Sequence, residues 1–141
     1  MDFSTLKFLV VDDHALLRHV LRSSLQPYGI RNLDWAIDGI EALEKIKTAS
    51  AQNAPYDVVF LDWNMPRMSG FDVLSSCRND RQLDRMAIVM LTAESETDSI
   101  TRAMGAGATA YITKPFQPET IVKKLEDIAV WQKKMSSTGK P

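Results

Sequence analysis

The sequence has 141 residues, of which 45% are hydrophobic and 25% charged, a composition typical of one folded domain and neither disordered nor membrane-embedded. Its formal net charge is −1, without the basic stripe expected of a protein that binds nucleic acid or a membrane surface. The single cysteine, Cys77, excludes an intramolecular disulfide framework, and the N-terminus resembles neither a signal peptide nor a membrane span. We therefore expect a cytoplasmic monomer.

Five short apolar runs predict strands of a sheet that is buried on both faces. In chain order they are Phe8–Val11, Leu33–Ala36, Val58–Leu61, Ile88–Leu91 and Ala110–Ile112. The second run is the most polar, as an edge strand would be. The sequence thus predicts five strands, with the segment at Leu33 on the edge of the sheet.

The segments between these runs have helical spacing of apolar residues. The expected inward faces carry Leu17, Val20, Leu21, Leu25 and Tyr28; Leu43 and Ile46; Ile100, Ala103 and Met104; and Ile121, Leu125 and Ile128. The last helix is predicted from about Pro118 to about Met135, with a polar loop at Ala49 to Pro55. The pattern indicates an α/β domain over residues 1–135, with a parallel sheet, helices on both faces, and a flexible tail at 136–141.

Polar side chains with related chemistry follow four of the predicted strands. They are Asp12 and Asp13, Asp62, Thr92 and Lys114. The carboxyl ends of parallel strands share one edge of a sheet, and ligands bind outside that edge where the strand order reverses. Singly, Asp13 could cap a helix, Thr92 could cap a turn and Lys114 could be solvated. Their joint placement favours a functional site.

Three neighbouring carboxylates repel one another, at roughly 4 kcal/mol per pair for a separation of ~4 Å and an effective dielectric constant of ~20. Such a cluster needs a cation, and oxygen ligands favour Mg²⁺ over Zn²⁺. A metal ion and Lys114 together could neutralise a transferring phosphoryl group, and a carboxylate could accept it as an acyl phosphate. His14 and His19 are interpreted as surface residues, because no second His or Cys offers metal-ligand spacing.

Four motifs resemble the receiver domain of bacterial response regulators, and within it the single-domain chemotaxis regulators of the CheY type. They are Val10–Asp13, Leu61–Pro66 followed by Gly70, Leu91–Glu94 and Tyr111–Phe116. The similarity extends over about Lys7 to Lys134. It implies a flavodoxin-like doubly wound sheet of strand order 2-1-3-4-5.

The resemblance also implies a role for each residue of the phosphorylation site. Asp62 corresponds to the phospho-acceptor, Asp13 to a direct metal ligand and Asp12 to a ligand through water. Asn64 would add its backbone carbonyl to the metal. Lys114 would bind the acceptor carboxylate and then the phosphoryl oxygen, with a cis bond to Pro115.

Further residues are implied in signalling and in the lifetime of the phosphorylated state. Thr92 would bind the phosphoryl group, and Tyr111 would turn inward as it does so. Asn64 and Glu94 would flank the path of an attacking water. Ala103, Tyr111 and Lys123 are the residues expected on the surface that binds a partner.

The function expected from this sequence is a stand-alone signalling switch without an attached output domain. A histidine kinase or histidine phosphotransfer protein would donate the phosphoryl group, and a protein target, with a flagellar switch component as the leading candidate, would read the result. The chain would catalyse only its own phosphorylation and dephosphorylation. A phosphorelay intermediate or phosphate sink remains an alternative. A small Mg²⁺-dependent phosphatase is disfavoured because Asn64, and not a second acid, follows Asp62 by two residues.

Overall fold

The apolar runs form a five-stranded parallel sheet in the computed structural model, which describes residues 3–93, 97–114 and 116–138. The strands are β1 Lys7–Val11, β2 Asn32–Ala36, β3 Val58–Asp62, β4 Ala87–Thr92 and β5 Ala110–Thr113. Their order in the sheet is β2-β1-β3-β4-β5, and every neighbouring pair is parallel. The expected strand order and the edge position of the second strand are confirmed.

Five helices cover the two faces of this sheet. They are α1 Ala15–Leu25, α2 Gly39–Ala51, α3 Gly70–Arg78, α4 Thr97–Gly105 and α5 Pro118–Thr138. Helices α1 and α5 pack on one face and α2, α3 and α4 on the other, each set closing its own hydrophobic cluster. The expected doubly wound α/β architecture is therefore confirmed.

The sequence of β1 shows why the strands are uniformly apolar. Val10 belongs to the cluster under α1 and α5, whereas its neighbour Val11 belongs to the cluster under α2, α3 and α4. Because successive side chains of a strand point to opposite faces, a strand covered on both sides needs apolar residues at every position. The same alternation repeats in β3 and β4, whose residues are almost all buried.

Helix ends and some helix faces differ from the prediction. Helix α2 continues to Ala51 because Ala49 is buried in the core, so the loop predicted from Ala49 begins only at Gln52. Helix α5 continues to Thr138, three residues beyond the predicted end at Met135. The side chain of Gln132, in the last part of α5, donates hydrogen bonds to the carbonyls of Asp57 and Arg85. These bonds hold this part of the helix against the sheet. Residues 139–141 of the predicted tail lie outside the described residues.

Three apolar residues assigned to inward faces are exposed instead. They are Val20, Tyr28 and Met104. Leu21 and Leu25 alone supply the fully buried contacts of α1, so the inward stripe is narrower than the spacing suggested. Tyr28 lies in a short 3₁₀ turn that follows α1 rather than in the helix.

Gly70 brings the start of α3 against the end of β3. Its N–H donates to the carbonyl of Trp63 at 2.9 Å, and a Cβ atom at this position would collide with the carbonyl oxygen of Asp62. The contact involves backbone atoms, which cannot rotate away as a side chain can. A glycine is therefore required where the chain leaves β3 next to Asp62.

We predict that Gly70→Ala lowers the free energy of unfolding by at least about 2 kcal/mol, because the added methyl group displaces backbone. The matched control is Gly105→Ala, where a Cβ would meet no atom within 4 Å. The control should be at least as stable as the unmodified protein, because alanine is favoured over glycine in a helix by up to about 1 kcal/mol. Urea unfolding curves measure both values, and similar stabilities of the two variants would contradict the close approach at Gly70.

Candidate functional site

The predicted site residues meet at the carboxyl edge of the sheet. Asp12 directly follows β1, Asp62 ends β3, Thr92 ends β4 and Lys114 follows β5. The strand order reverses between β1 and β3, which is where a doubly wound sheet leaves a crevice for ligands. The fold therefore places the acidic residues at this crevice, as the sequence predicted.

Three carboxylates and one imidazole form a close cluster in the crevice. Asp12 and Asp62 are buried, whereas Asp13 is exposed at the rim. One oxygen from each carboxylate and one nitrogen of His14 all lie within 4.8 Å of one another. Carboxylate oxygens at this spacing are the donor set that a hard divalent cation prefers, so the residues fit a metal site of the Mg²⁺ type.

Lys114 bridges the two buried carboxylates. Its Nζ atom lies 3.1 Å from Oδ2 of Asp12 and 3.3 Å from Oδ1 of Asp62. The ammonium group thus offsets part of the repulsion between two acids that have lost most of their hydration. Lys114 is a member of the site and not a solvated surface lysine.

The environment of Asp62 alters its protonation. Burial raises the pKa of this carboxyl group, the charge of Lys114 lowers it, and the charge of Asp12 raises it again, with a net upward shift. A carboxylate with a raised pKa is more basic and more nucleophilic than an ordinary one. Asp62 is therefore a buried carboxyl group whose charge is only partly offset by Lys114.

The turn after β1 is organised by Asp12 rather than by Asp13. The Oδ1 atom of Asp12 accepts a hydrogen bond from the backbone N–H of His14 at 2.8 Å. The residue that caps α1 is His14, and it makes no side-chain capping bond. The alternative of Asp13 as a helix cap is thus not realised, which leaves its carboxylate at the rim of the cluster.

His14 contacts the acidic pair, which the sequence interpretation missed. Its ring is 68% exposed, as a surface residue should be, yet Nδ1 lies 2.9 Å from Oδ1 of Asp12 and 3.2 Å from Oδ1 of Asp13. The hydrogen bond to Asp12 and the charges of both acids raise the pKa of the imidazole. The signal that could have found this contact is the position of His14 directly after two acids, at the start of a helix.

The loop between β3 and α3 is attached to α2 by an ion pair that the sequence did not reveal. Arg67, whose φ of 67° lies in the left-handed region, contacts the carboxylate of Asp38. Asp38 is buried and caps α2 by accepting from the N–H of Glu41, and this bond and Arg67 lower its pKa. Asn64 lies exposed in the same loop, and its N–H donates to the carboxylate of Asp62.

Thr92 and Tyr111 line one small space beside the acidic cluster. The other residues around it are Trp63, Met90, Ser99, Ile100 and Ala103. The pairing of β4 with β5 sets Thr92 opposite Thr113, the residue before Lys114. The predicted switch residues are therefore close to the site, with a path from Thr92 to Tyr111 through a single gap.

The predicted partner surface needs two changes. Ala103 is 1% exposed and belongs to the core, so in this structure it lies beneath the surface, and its effect on partner binding stays a prediction. Lys123 is exposed, but the lysine that lies over the ring of Tyr111 is Lys124, with Nζ 5.4 Å from the ring centroid. We define the output groove as the 210 Å³ groove beside this pair, whose lining also includes Met104, Ile128 and Trp131.

Predicted residues Glu94 and Pro115 lie outside the described residues.

The chain belongs to the response regulator receiver domain family, whose model matches residues 8–126. Within that family it is a receiver domain of the CheY type. It is 37% identical over 123 residues to the chemotaxis protein CheY-3 of Vibrio cholerae serotype O1, covering 87% of this chain and 91% of that protein. It is 35% identical to the chemotaxis protein CheY of Pseudomonas aeruginosa, covering 87% of this chain and 95% of that protein.

Solved structures give the same relationship. The chemotaxis response regulator CheY4 of Vibrio cholerae superposes with a TM-score of 0.75 at 37% identity, covering 87% of this chain and 98% of that one. A putative response regulator from Chloroflexus aurantiacus has a TM-score of 0.77 at 28% identity, covering 87% and 96% of the two chains.

No helix in the described part of the chain is both long and apolar enough to cross a membrane.

We predict that Asp62→Asn is more stable than the unmodified protein at neutral pH in the presence of a chelator. The folded-state pKa of Asp62 is raised, so its ionisation costs stability as the pH rises through that pKa. Asp62→Asn removes the charge and with it this loss of stability. The difference in unfolding free energy between the variant and the unmodified protein should shrink once the pH falls below the ordinary pKa of a carboxyl group.

Urea unfolding across pH measures the effect. The matched control is Glu44→Gln, an exposed acid of α2, which should leave the pH profile unchanged. An Asp62→Asn variant less stable than the unmodified protein at neutral pH would contradict the strained placement of this carboxylate.

Proposed function

We propose that this receiver domain is a phosphorylation-dependent switch in which Asp62 accepts a phosphoryl group in an Mg²⁺-dependent reaction. The donor is a histidine kinase or a histidine phosphotransfer protein. The observation that carries the proposal is the burial of Asp62 beside Asp12, with Lys114 spanning both carboxylates at the crevice of the sheet. Membership of the receiver family and the CheY-type relatives support the same reaction.

In the proposed reaction, an oxygen of Asp62 attacks the phosphorus of a phosphohistidine. The new O–P bond makes an acyl phosphate as the N–P bond breaks, and the histidine, which carries a proton on its other ring nitrogen, leaves as a neutral imidazole. Lys114 stabilises charge on the phosphoryl oxygens, and the Thr92 hydroxyl donates a hydrogen bond to one of them. Mg²⁺, when bound by Asp12, Asp13, Asp62 and the carbonyl of Asn64, would supply a second centre of positive charge.

The proposed switch also resets itself. Water hydrolyses the acyl phosphate, with Asn64 beside the path of attack and Glu94 assigned there by the family pattern. The chain in this proposal catalyses its own phosphorylation and dephosphorylation and no reaction of another substrate. Its lifetime in the phosphorylated state is then a property of the domain, set by the loops around Asp62.

The signal is proposed to leave through the output groove. When the Thr92 side chain donates a hydrogen bond to the phosphoryl group, it would vacate part of the space that Thr92 and Tyr111 share. The Tyr111 ring would then turn into that space. The groove would then change shape for a protein partner. The relatives are chemotaxis proteins, so we propose a component of the flagellar switch as the partner and a cytoplasmic location for the complex.

We expect acetyl phosphate to label the protein with one phosphoryl group when Mg²⁺ is present. Mass spectrometry of the intact protein counts the groups, and peptide mapping assigns the label to Asp62. Chelation of the metal and the Asp62→Asn variant should each abolish labelling. The matched control is Asp72→Asn, an exposed acid of α3, which should be labelled normally. Labelling that persists in Asp62→Asn, or that ignores chelation, would contradict the proposal.

We also expect beryllofluoride, a stable mimic of the phosphoryl group, to alter the output groove. Amide hydrogen exchange should change at Asp62 and also at Tyr111 and at α4, because the path from Thr92 joins these sites. A peptide of the target should bind more tightly to the treated protein. Lys124→Ala should change that binding more than Lys123→Ala, since only Lys124 contacts the ring of Tyr111. Changes confined to the loops that hold Asp13 and Asp62 would exclude this groove as the output.

A further inference from the structure

His14 adds a nitrogen donor to a cluster that is otherwise made of oxygens. Its Nδ1 atom lies close to both Asp12 and Asp13, and its exposed ring is free of packing that would prevent a small rotation. The backbone N–H of His14 donates a hydrogen bond to Asp12, which holds the main chain of His14 beside the cluster. In this structure the imidazole therefore lies at the rim of the site, within reach of both acids.

The geometry is close to that of a coordination sphere. In an octahedral site with metal–ligand distances of about 2.1 Å, opposite ligand atoms are about 4.2 Å apart. The four donor atoms of Asp12, Asp13, His14 and Asp62 already lie within 4.8 Å of one another. A contraction by about half an ångström would let the nitrogen and the oxygens share one ion.

The chemistry of the nitrogen decides which ions benefit. Mg²⁺ prefers oxygen ligands and retains its waters, so it gains little from an imidazole. Mn²⁺, Co²⁺, Ni²⁺ and Zn²⁺ accept imidazole nitrogen readily, and their affinity for mixed nitrogen and oxygen sites rises along the series to the later metals. An Asp-Asp-His rim thus favours transition metal ions more than an all-oxygen rim does.

We propose that His14 Nδ1 is a direct ligand for divalent transition metal ions at this site, which makes the domain bind them in preference to Mg²⁺. The inference rests on the metal site of the proposed function and specifies which ions that site selects. In the alternative, His14 only hydrogen-bonds the acids and must move away before any ion binds. The two cases predict opposite effects of removing the ring.

The test uses the untagged protein and the ions themselves. Calorimetric titration with Ni²⁺ and with Mg²⁺ is compared for the unmodified protein, His14→Gln and His19→Gln. His19 is the matched control because it is an exposed histidine within α1, the helix that His14 caps. We expect His14→Gln to weaken Ni²⁺ binding by about tenfold or more while Mg²⁺ binding changes by less than about threefold. His19→Gln should change neither.

A spectroscopic measurement identifies the ligand independently of affinity. Mn²⁺ bound to the unmodified protein and to His19→Gln should show electron spin-echo modulation from a directly bound nitrogen, and His14→Gln should lose it. Nitrogen modulation that survives in His14→Gln, equal losses of Ni²⁺ and Mg²⁺ affinity, or tighter Ni²⁺ binding without the ring would each overturn the proposal. Failure of the unmodified protein to bind either ion would instead refute the metal site itself, and labelling of Asp62 is measured separately.

Discussion

The site depends on the repulsion between Asp12, directly after β1, and Asp62, at the end of the neighbouring β3, because both carboxylates are buried. Burying like charges is costly. One ammonium group cannot neutralise the three carboxylates of Asp12, Asp13 and Asp62. Lys114 reduces the cost and leaves a net negative crevice. A more stable fold would place neutral residues here. The retained charge makes the crevice compatible with a cation, so in the proposed function part of the fold's stability would be exchanged for metal binding.

The same strands that build the site also connect it to the surface. Lys114 follows β5, which carries Tyr111, and Thr92 ends the neighbouring β4. On the other side, Arg102 of α4 lies over the rings of Phe71 and Trp63, at 4.5 and 6.0 Å from their centroids. Trp63 is adjacent to Asp62 in the chain. Helix α4 thus contacts Trp63, the residue next to Asp62, and also lines the space beside Thr92, so two sets of contacts join this helix to the region of the acidic cluster.

The sequence predicted the sheet and the membership of the site because both follow from local rules. Continuous apolar runs identify strands that are buried on both faces, and residues after such strands must meet at one edge. It could not predict contacts that depend on how distant segments pack. The ion pair of Arg67 with Asp38 joins loops 29 residues apart, and the burial of Ala103 reflects where α4 rests on the sheet. His14 is on the surface as predicted, but its contact with the two acids was missed, because a sequence pattern indicates exposure and not the direction of a side chain.

The contact of Lys124 with Tyr111 shows how one rotation could alter two properties of the output groove. In this structure the ammonium group lies over the tyrosine ring, and both line the groove beside Trp131. A cation over an aromatic face is stabilised modestly at a half-exposed position. If the ring turns toward Thr92, as the proposed switch requires, that stabilisation is lost and Lys124 is freed at the moment the groove changes shape. A partner with an acidic group and an apolar anchor would then respond to both changes. The phosphorylated and unphosphorylated states would differ in the exposure of the Lys124 charge as well as in the shape of the groove.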